Sequence, residues 1–143
     1  MTPGPILLTG AGGDIGFAVA RCLREAYPDT RLIGADMRGD TAAPAFFDEV
    51  LRLPRADDEG YLSDLRHAAE RSGAELLLPL AEAELAVLLR VGLLQGQVGP
   101  ALVVSASPRA VETGLDKFRT FRTLRDAGLG VPDSGLVGEH EPG

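Results

Sequence analysis

The chain has no tryptophan, and aromatic residues make up 5% of its 143 positions. Its core must therefore be aliphatic, built from Leu, Val, Ile and Ala. It has one cysteine, Cys22, so an internal disulfide is excluded. That usage suits a reducing compartment, and a cytoplasmic location is expected. Cys22 falls inside a predicted helix, where it reads as a small buried hydrophobe rather than a reactive thiol. The only histidines, His67 and His140, are far apart in sequence. A His/Cys metal centre is therefore not expected. Acidic residues outnumber basic ones, 21 to 14, for a net charge of −7. No Lys/Arg cluster stands out, which argues against a nucleic-acid partner. No run approaches the ~18 apolar residues that span a bilayer, and no basic leader precedes the first apolar stretch. A membrane partner is not expected either.

What is present is an ordinary globular balance, 45% apolar and 24% charged, in a length that favours one domain with its own core. Short apolar runs alternate with helical patterns. "PILLTG" (Pro5 to Gly10), "RLIGAD" (Arg31 to Asp36), "EVLRLP" (Glu49 to Pro54), "AELLLPL" (Ala74 to Leu80) and "PALVVSAS" (Pro100 to Ser107) read as strands. Helices are predicted over Asp14 to Ala26, with Ile15, Val19, Cys22 and Leu23 on one face, and over Glu59 to Gly73, stopped by Gly73. Further helices are predicted over Glu82 to Leu94, from Pro108, and over Asp116 to Gly128 with Phe118, Phe121 and Leu124 inward. Strands that are continuously apolar argue for a parallel sheet covered on both faces. The expected fold is α/β: a three-layer, Rossmann-like, doubly wound sheet, mainly parallel, of about five strands.

The first turn is rich in glycine. "LLTGAGGDIG" places Gly10, Gly13 and Gly16 in a T-G-x-x-G-x-x-G pattern between a strand and a helix. Asp14 can cap or favour the start of that helix. Free N–H groups and the partial positive charge of a helix N-terminus suit an anion. Asp36, at the end of the second strand, stands where an acid meets the adenine ribose in dinucleotide folds. Gly10, Gly13, Gly16 and Asp36 together are similar to the nicotinamide fingerprint of extended short-chain dehydrogenases. Tight helix–strand packing alone explains the glycines equally well. The catalytic Tyr-x-x-x-Lys pair of that family is missing: neither Tyr27 nor Tyr61 has Lys four residues on.

The later stretch points elsewhere. "SASPRAVETGLDKFRTFRTLRDAGLGVP" (Ser105 to Pro132) contains Leu115-Asp116-Lys117 and Gly128-Leu129-Gly130-Val131-Pro132. This resembles the entry into the ATP-grasp domain of carbamoyl-phosphate-synthase-like and related carboxylate–amine ligases, with Gly130 where proline is frequent. "AELLLPLAEAEL" resembles that family's strand end and acidic loop, and "TGAGGDIG" its first turn. The resemblance covers Pro5 to Pro132 in order. It implies a pre-ATP-grasp, Rossmann-like domain over residues 1–115 and the start of the ATP-grasp region over 116–143. It further implies that Lys117 contacts ATP phosphates in the intact enzyme, as a point charge suits a polyphosphate. Gly12, Gly13, Asp14, Glu82 and Glu84 would line the substrate cleft. Each has a plainer reading: Lys117 as an exposed helix charge, Glu82 and Glu84 as favourable first-turn acids, the glycines as packing.

The glycine-rich phosphate loop and Mg²⁺ ligands of that family are not found in this sequence. No catalytic residue and no metal ligand is therefore assigned. ATP and Mg²⁺ are expected in the intact protein and neither on this chain alone, which should be catalytically inert. Its expected partner is an ATP-grasp domain, in cis or in trans. The alternatives are a nicotinamide-binding module and a non-enzymatic domain that forms a homodimer through a sheet edge or helices.

Overall fold

The computed structural model describes residues 2–138; the remainder of the polar tail, with His140, lies outside them. Six strands form one sheet in the order β3-β2-β1-β4-β6-β5. They are β1 (Ile6–Thr9), β2 (Leu32–Asp36), β3 (Glu49–Arg52), β4 (Leu76–Pro79), β5 (Gln97–Val98) and β6 (Ala101–Val103). Helices α1 (Asp14–Ala26), α2 (Tyr61–Ser72), α3 (Glu82–Arg90), α4 (Pro108–Gly114) and α5 (Lys117–Asp126) connect and follow them. A short 3₁₀ turn, Ala43–Ala45, joins β2 to β3. All pairings are parallel except β5 with β6. The expected α/β sheet is present, with one strand more than expected: the two-residue β5, too short to leave an apolar run in the sequence.

The burial of the sheet follows from register. Ile33, Leu7, Leu77 and Val103 stand in line across β2, β1, β4 and β6. All four are buried beneath Tyr61, Leu65 and Ala69 of α2, Val87 and Leu88 of α3, and Val111 of α4. The neighbouring row points the other way: Leu32, Ile6, Leu76 and Leu102. There α1, the 3₁₀ turn and Phe47 cover the β2–β1 half. Cover fades toward β6, where Leu102 and the following Val104 are each 45% exposed. One face of the sheet is thus fully covered and the other only half.

The helix ends follow the sequence closely. Gly73 stops α2 in the left-handed region at φ 64°. Pro108 opens α4 behind Ser107, whose hydroxyl accepts the Ala110 N–H. Asp116 caps α5 by accepting the Arg119 N–H at 2.9 Å. Asp14, by contrast, is the first residue of α1 and not its cap; that position belongs to Gly13, which makes no side-chain bond.

Three packing expectations are corrected. The buried side of α1 is Gly16 and Ala20, flanked by partly buried Phe17, Val19 and Leu23. Ile15 is 64% exposed, and Cys22 is exposed. Small residues, not large ones, face the sheet, because the helix lies too close for more. In α5, Phe118 and Phe121 are only half-buried and Leu124 is exposed. That helix packs chiefly on α4, and none of its residues is fully buried.

Candidate functional site

In this strand order the chain leaves β1 toward β2 on one side and returns to β4 on the other. Such a switch point opens a crevice at the carboxyl ends of the strands. A cleft of about 460 Å³ lies there, lined among others by Gly10, Gly13, Asp36, Arg38, Arg55 and Glu84.

The first-turn glycines have separable reasons. Gly10 turns the chain at φ 65°, a conformation costly for residues with a Cβ. A Cβ on Gly12 would come within 2.9 Å of the Asp36 carboxylate. One on Gly16 would lie 2.8 Å from the Ala11 backbone. Gly13 is different: the nearest atom to an added Cβ is 3.7 Å away. Packing does not demand glycine there, on the cleft wall.

Asp36 is buried, and both its oxygens are used. Oδ2 accepts the Gly12 N–H at 2.8 Å and Oδ1 the Arg38 N–H at 2.9 Å. The Arg38 guanidinium returns to the Gly12 carbonyl at 3.1 Å. This clasp ties the glycine loop to the end of β2. Replacing Asp36 with Ala leaves two backbone donors unmatched and is expected to cost about 1.5 kcal/mol. Faster amide exchange at Gly12 and Arg38 would accompany it; unchanged exchange there would contradict the clasp.

Glu84 sits in the first turn of α3 and is 8% exposed. Its Oε2 accepts the Thr9 hydroxyl at 2.6 Å and, more weakly, the Ala81 N–H at 3.4 Å. The second bond is half of a capping box. Burial raises its pKa above the ordinary 4.5; the Thr9 and Ala81 donors and the nearby Tyr61 hydroxyl, which makes no hydrogen bond here, oppose that rise, and Asp36 adds to it. The folded chain therefore keeps this proton to higher pH than the unfolded chain does. Glu84 thus makes stability fall as pH rises from about 4.5 through the folded value. In Glu84→Gln that part of the pH dependence should vanish, as melting curves between pH 4.5 and 8 will read. Asp48 acts in the opposite sense and at lower pH. Its bonds from Arg24 and from the Leu32 N–H hold it below the ordinary 3.8, so its contribution is lost as pH falls through the folded value.

Residues 6–95 match a protein family described as PylC-like, N-terminal domain. The chain belongs to that family. Nothing among curated proteins matches it. The fold of this PylC-like N-terminal domain is similar to that of solved structures, among them the following. An N5-carboxyaminoimidazole ribonucleotide synthetase from Thermotoga maritima has a TM-score of 0.57 at 18% identity, over 90% of this chain and 32% of that one. An ADP complex of purK, also an N5-carboxyaminoimidazole ribonucleotide synthetase, gives 0.63 at 17%, over 92% and 31%. Glycinamide-RNase-transformylase T from Mycobacterium tuberculosis gives 0.60 at 19%, over 92% and 37%. At such identities the likeness is one of fold. The chain spans about a third of the length of each. The expected Rossmann-like N-terminal domain is present as a fold and as a member of the PylC-like family.

Within this PylC-like domain, the cleft brings together Gly10, Gly13, Asp36 and Glu84. Gly12 is bonded just behind it, Asp14 and Glu82 are exposed, and Gly16 is buried on the sheet side of α1. Lys117 is the first residue of α5, exposed and away from the cleft lining. Among the described residues it makes no ion pair. Sequence reasoning missed Arg38 and Arg55, paired with Asp36 and Asp57, and the Thr9 and Tyr61 neighbours of Glu84. One signal was available: Arg38 and Arg55 each lie within three residues of a strand's carboxyl end. Among the described residues no group of three or more His, Cys, Asp or Glu is placed to hold a metal ion. No helix among them is long and apolar enough to cross a membrane.

Proposed function

We propose that this chain is the N-terminal part of an ATP-grasp, carboxylate–amine type ligase, and that its cleft forms one wall of the acceptor-substrate site. The observation that carries the reading is the cleft itself. It opens at the switch point between β1 and β4, and two helix N-termini, α1 and α3, meet at its edge. Their unpaired N–H groups and the Arg38 and Arg55 guanidinium groups suit a substrate with an anionic group. The half-covered sheet face and the apolar side of α5 supply surfaces for the ATP-grasp domain, in cis or in trans.

Lys117 fits ATP as a mobile point charge on an exposed helix start. In the intact enzyme it would hold nucleotide phosphates. Bound ATP with Mg²⁺ supplies activation of a carboxylate by phosphorylation. The described residues offer no Mg²⁺ ligand set, so that chemistry belongs to other parts of the protein. This chain's own contribution is to bind and orient. The dinucleotide alternative is less favoured, since it needs Asp36 free for a ribose while Asp36 holds two backbone N–H groups.

The test is ADP release. The 143-residue chain given Mg·ATP, carboxylates and amines should release none above the blank. A longer product of the same reading frame should release ADP in a carboxylate-dependent way. Lys117→Ala should lower that rate on the order of 100-fold, as loss of a phosphate-positioning charge does. ADP formation by the short chain, or an unaffected Lys117→Ala enzyme, would sink the reading.

A further inference from the structure

Tyr61 opens α2 and is 1% exposed. Its hydroxyl is the buried side-chain polar atom, among the described residues, that lacks a hydrogen-bond partner. An orphaned buried hydroxyl costs about 1–3 kcal/mol. Phenylalanine would fill the same space at no such cost. A hydroxyl kept there calls for a reason.

The surroundings supply one. The hydroxyl faces the Glu84 carboxyl. Thr9 from β1 and the Ala81 N–H from the start of α3 both bond to Oε2. No protein donor among the described residues is bonded to Oε1, although Glu84 lines the cleft. Asp36 from β2 is the nearby like charge, and burial also disfavours ionisation. Glu84 is thus a cleft carboxyl with one oxygen anchored, one uncommitted, and an unused donor below it.

We propose that Tyr61 is a positioning residue of the cleft: its hydroxyl is the reserve donor that lets Glu84 carry a negative charge toward a bound ligand. The proposal rests on the reading of this cleft as a binding site. The ligand group it suits is one that donates a hydrogen bond to Oε1. When such a group arrives, the Glu84 proton leaves to solvent, Oε1 accepts from the ligand, and the Tyr61 O–H closes on the carboxylate. Three protein donors, besides the ligand, then stabilise the charge that burial opposes. Without Tyr61 the carboxylate would have to form with two protein donors.

The experiment needs no ligand, so its outcome is independent of whether the cleft binds substrate. The Glu84 carboxyl carbon is followed by NMR through a pH titration of the 143-residue chain, and of its Tyr61→Phe and Thr9→Val variants. Tyr61→Phe should move the Glu84 midpoint upward by at least about 0.5 pH unit, the worth of one modest hydrogen bond to the charged form. A midpoint unchanged in Tyr61→Phe overturns the proposal, whatever Thr9→Val does. Should Tyr61→Phe fail to fold, the wild-type chain decides. The Tyr61 Cζ resonance should then shift with the Glu84 midpoint, and a Cζ flat through that titration overturns the proposal equally.

Discussion

Gly16→Val is expected to destabilise the domain by at least about 3 kcal/mol, which for a chain of this size lowers the melting temperature by roughly 10 °C. The added Cβ would sit 2.8 Å from the Cα and the carbonyl oxygen of Ala11. Those atoms belong to the backbone of the first turn and cannot swing away as a side chain can. Either α1 lifts from the sheet or the turn shifts. Both strip cover from Ile6, Leu8 and Leu32, which are buried on that face. Gly13→Ala should behave oppositely, with no more than about 0.5 kcal/mol lost, because nothing stands within 3.4 Å of its added carbon. Thermal unfolding of the two variants side by side checks both. Equal losses would mean that the close approach at Gly16 is not what this glycine serves.

Leu77→Ala is expected to cost about 3 kcal/mol, within the usual range for a buried leucine emptied to alanine. Leu77 has no solvent exposure and lies between Leu7 and Val103 in register. Removing it breaks the apolar row at the middle and leaves a void beneath α2 and α3. The matching change on the other face, Leu102→Ala, should cost under about 1 kcal/mol, because Leu102 is already 45% exposed. Chemical denaturation gives the comparison directly. A large loss at Leu102 would show that its flank is covered in solution.

How much of this was legible beforehand differs by level. The strand runs, the span of α1 and the left-handed stop at Gly73 could be read because each depends on local chemistry. The inward side of α1 could not. It depends on how near that helix comes to Ala11, a distance that no periodicity encodes, and so the apolar spacing points Cys22 and Ile15 inward although both are exposed. Strand β5 escaped because two residues have no pattern. The clasp at Asp36 was half visible: its position at a strand end was noted, but its backbone partners are 24 residues and 2 residues away, and only folding brings both together. In the sequence Tyr61 signals only the lysine it lacks four residues on. Its proximity to Glu84 arises from α2 crossing over to the β4 side, a tertiary fact.

The half-covered sheet bears on timing. The row under α2, α3 and α4 is complete without help from outside, whereas the flank at Leu102 and Val104 is not. On the proposed reading, folding of this domain and docking of the ATP-grasp domain are therefore separable events. Made from its N-terminus, the chain can close its sheet as soon as β6 and α4 have emerged, at translation speeds of about 5–20 residues per second. On the proposed reading, the flank at Leu102 and Val104 stays in water until the ATP-grasp domain covers it, and chaperone binding to the nascent chain is expected to track that delay.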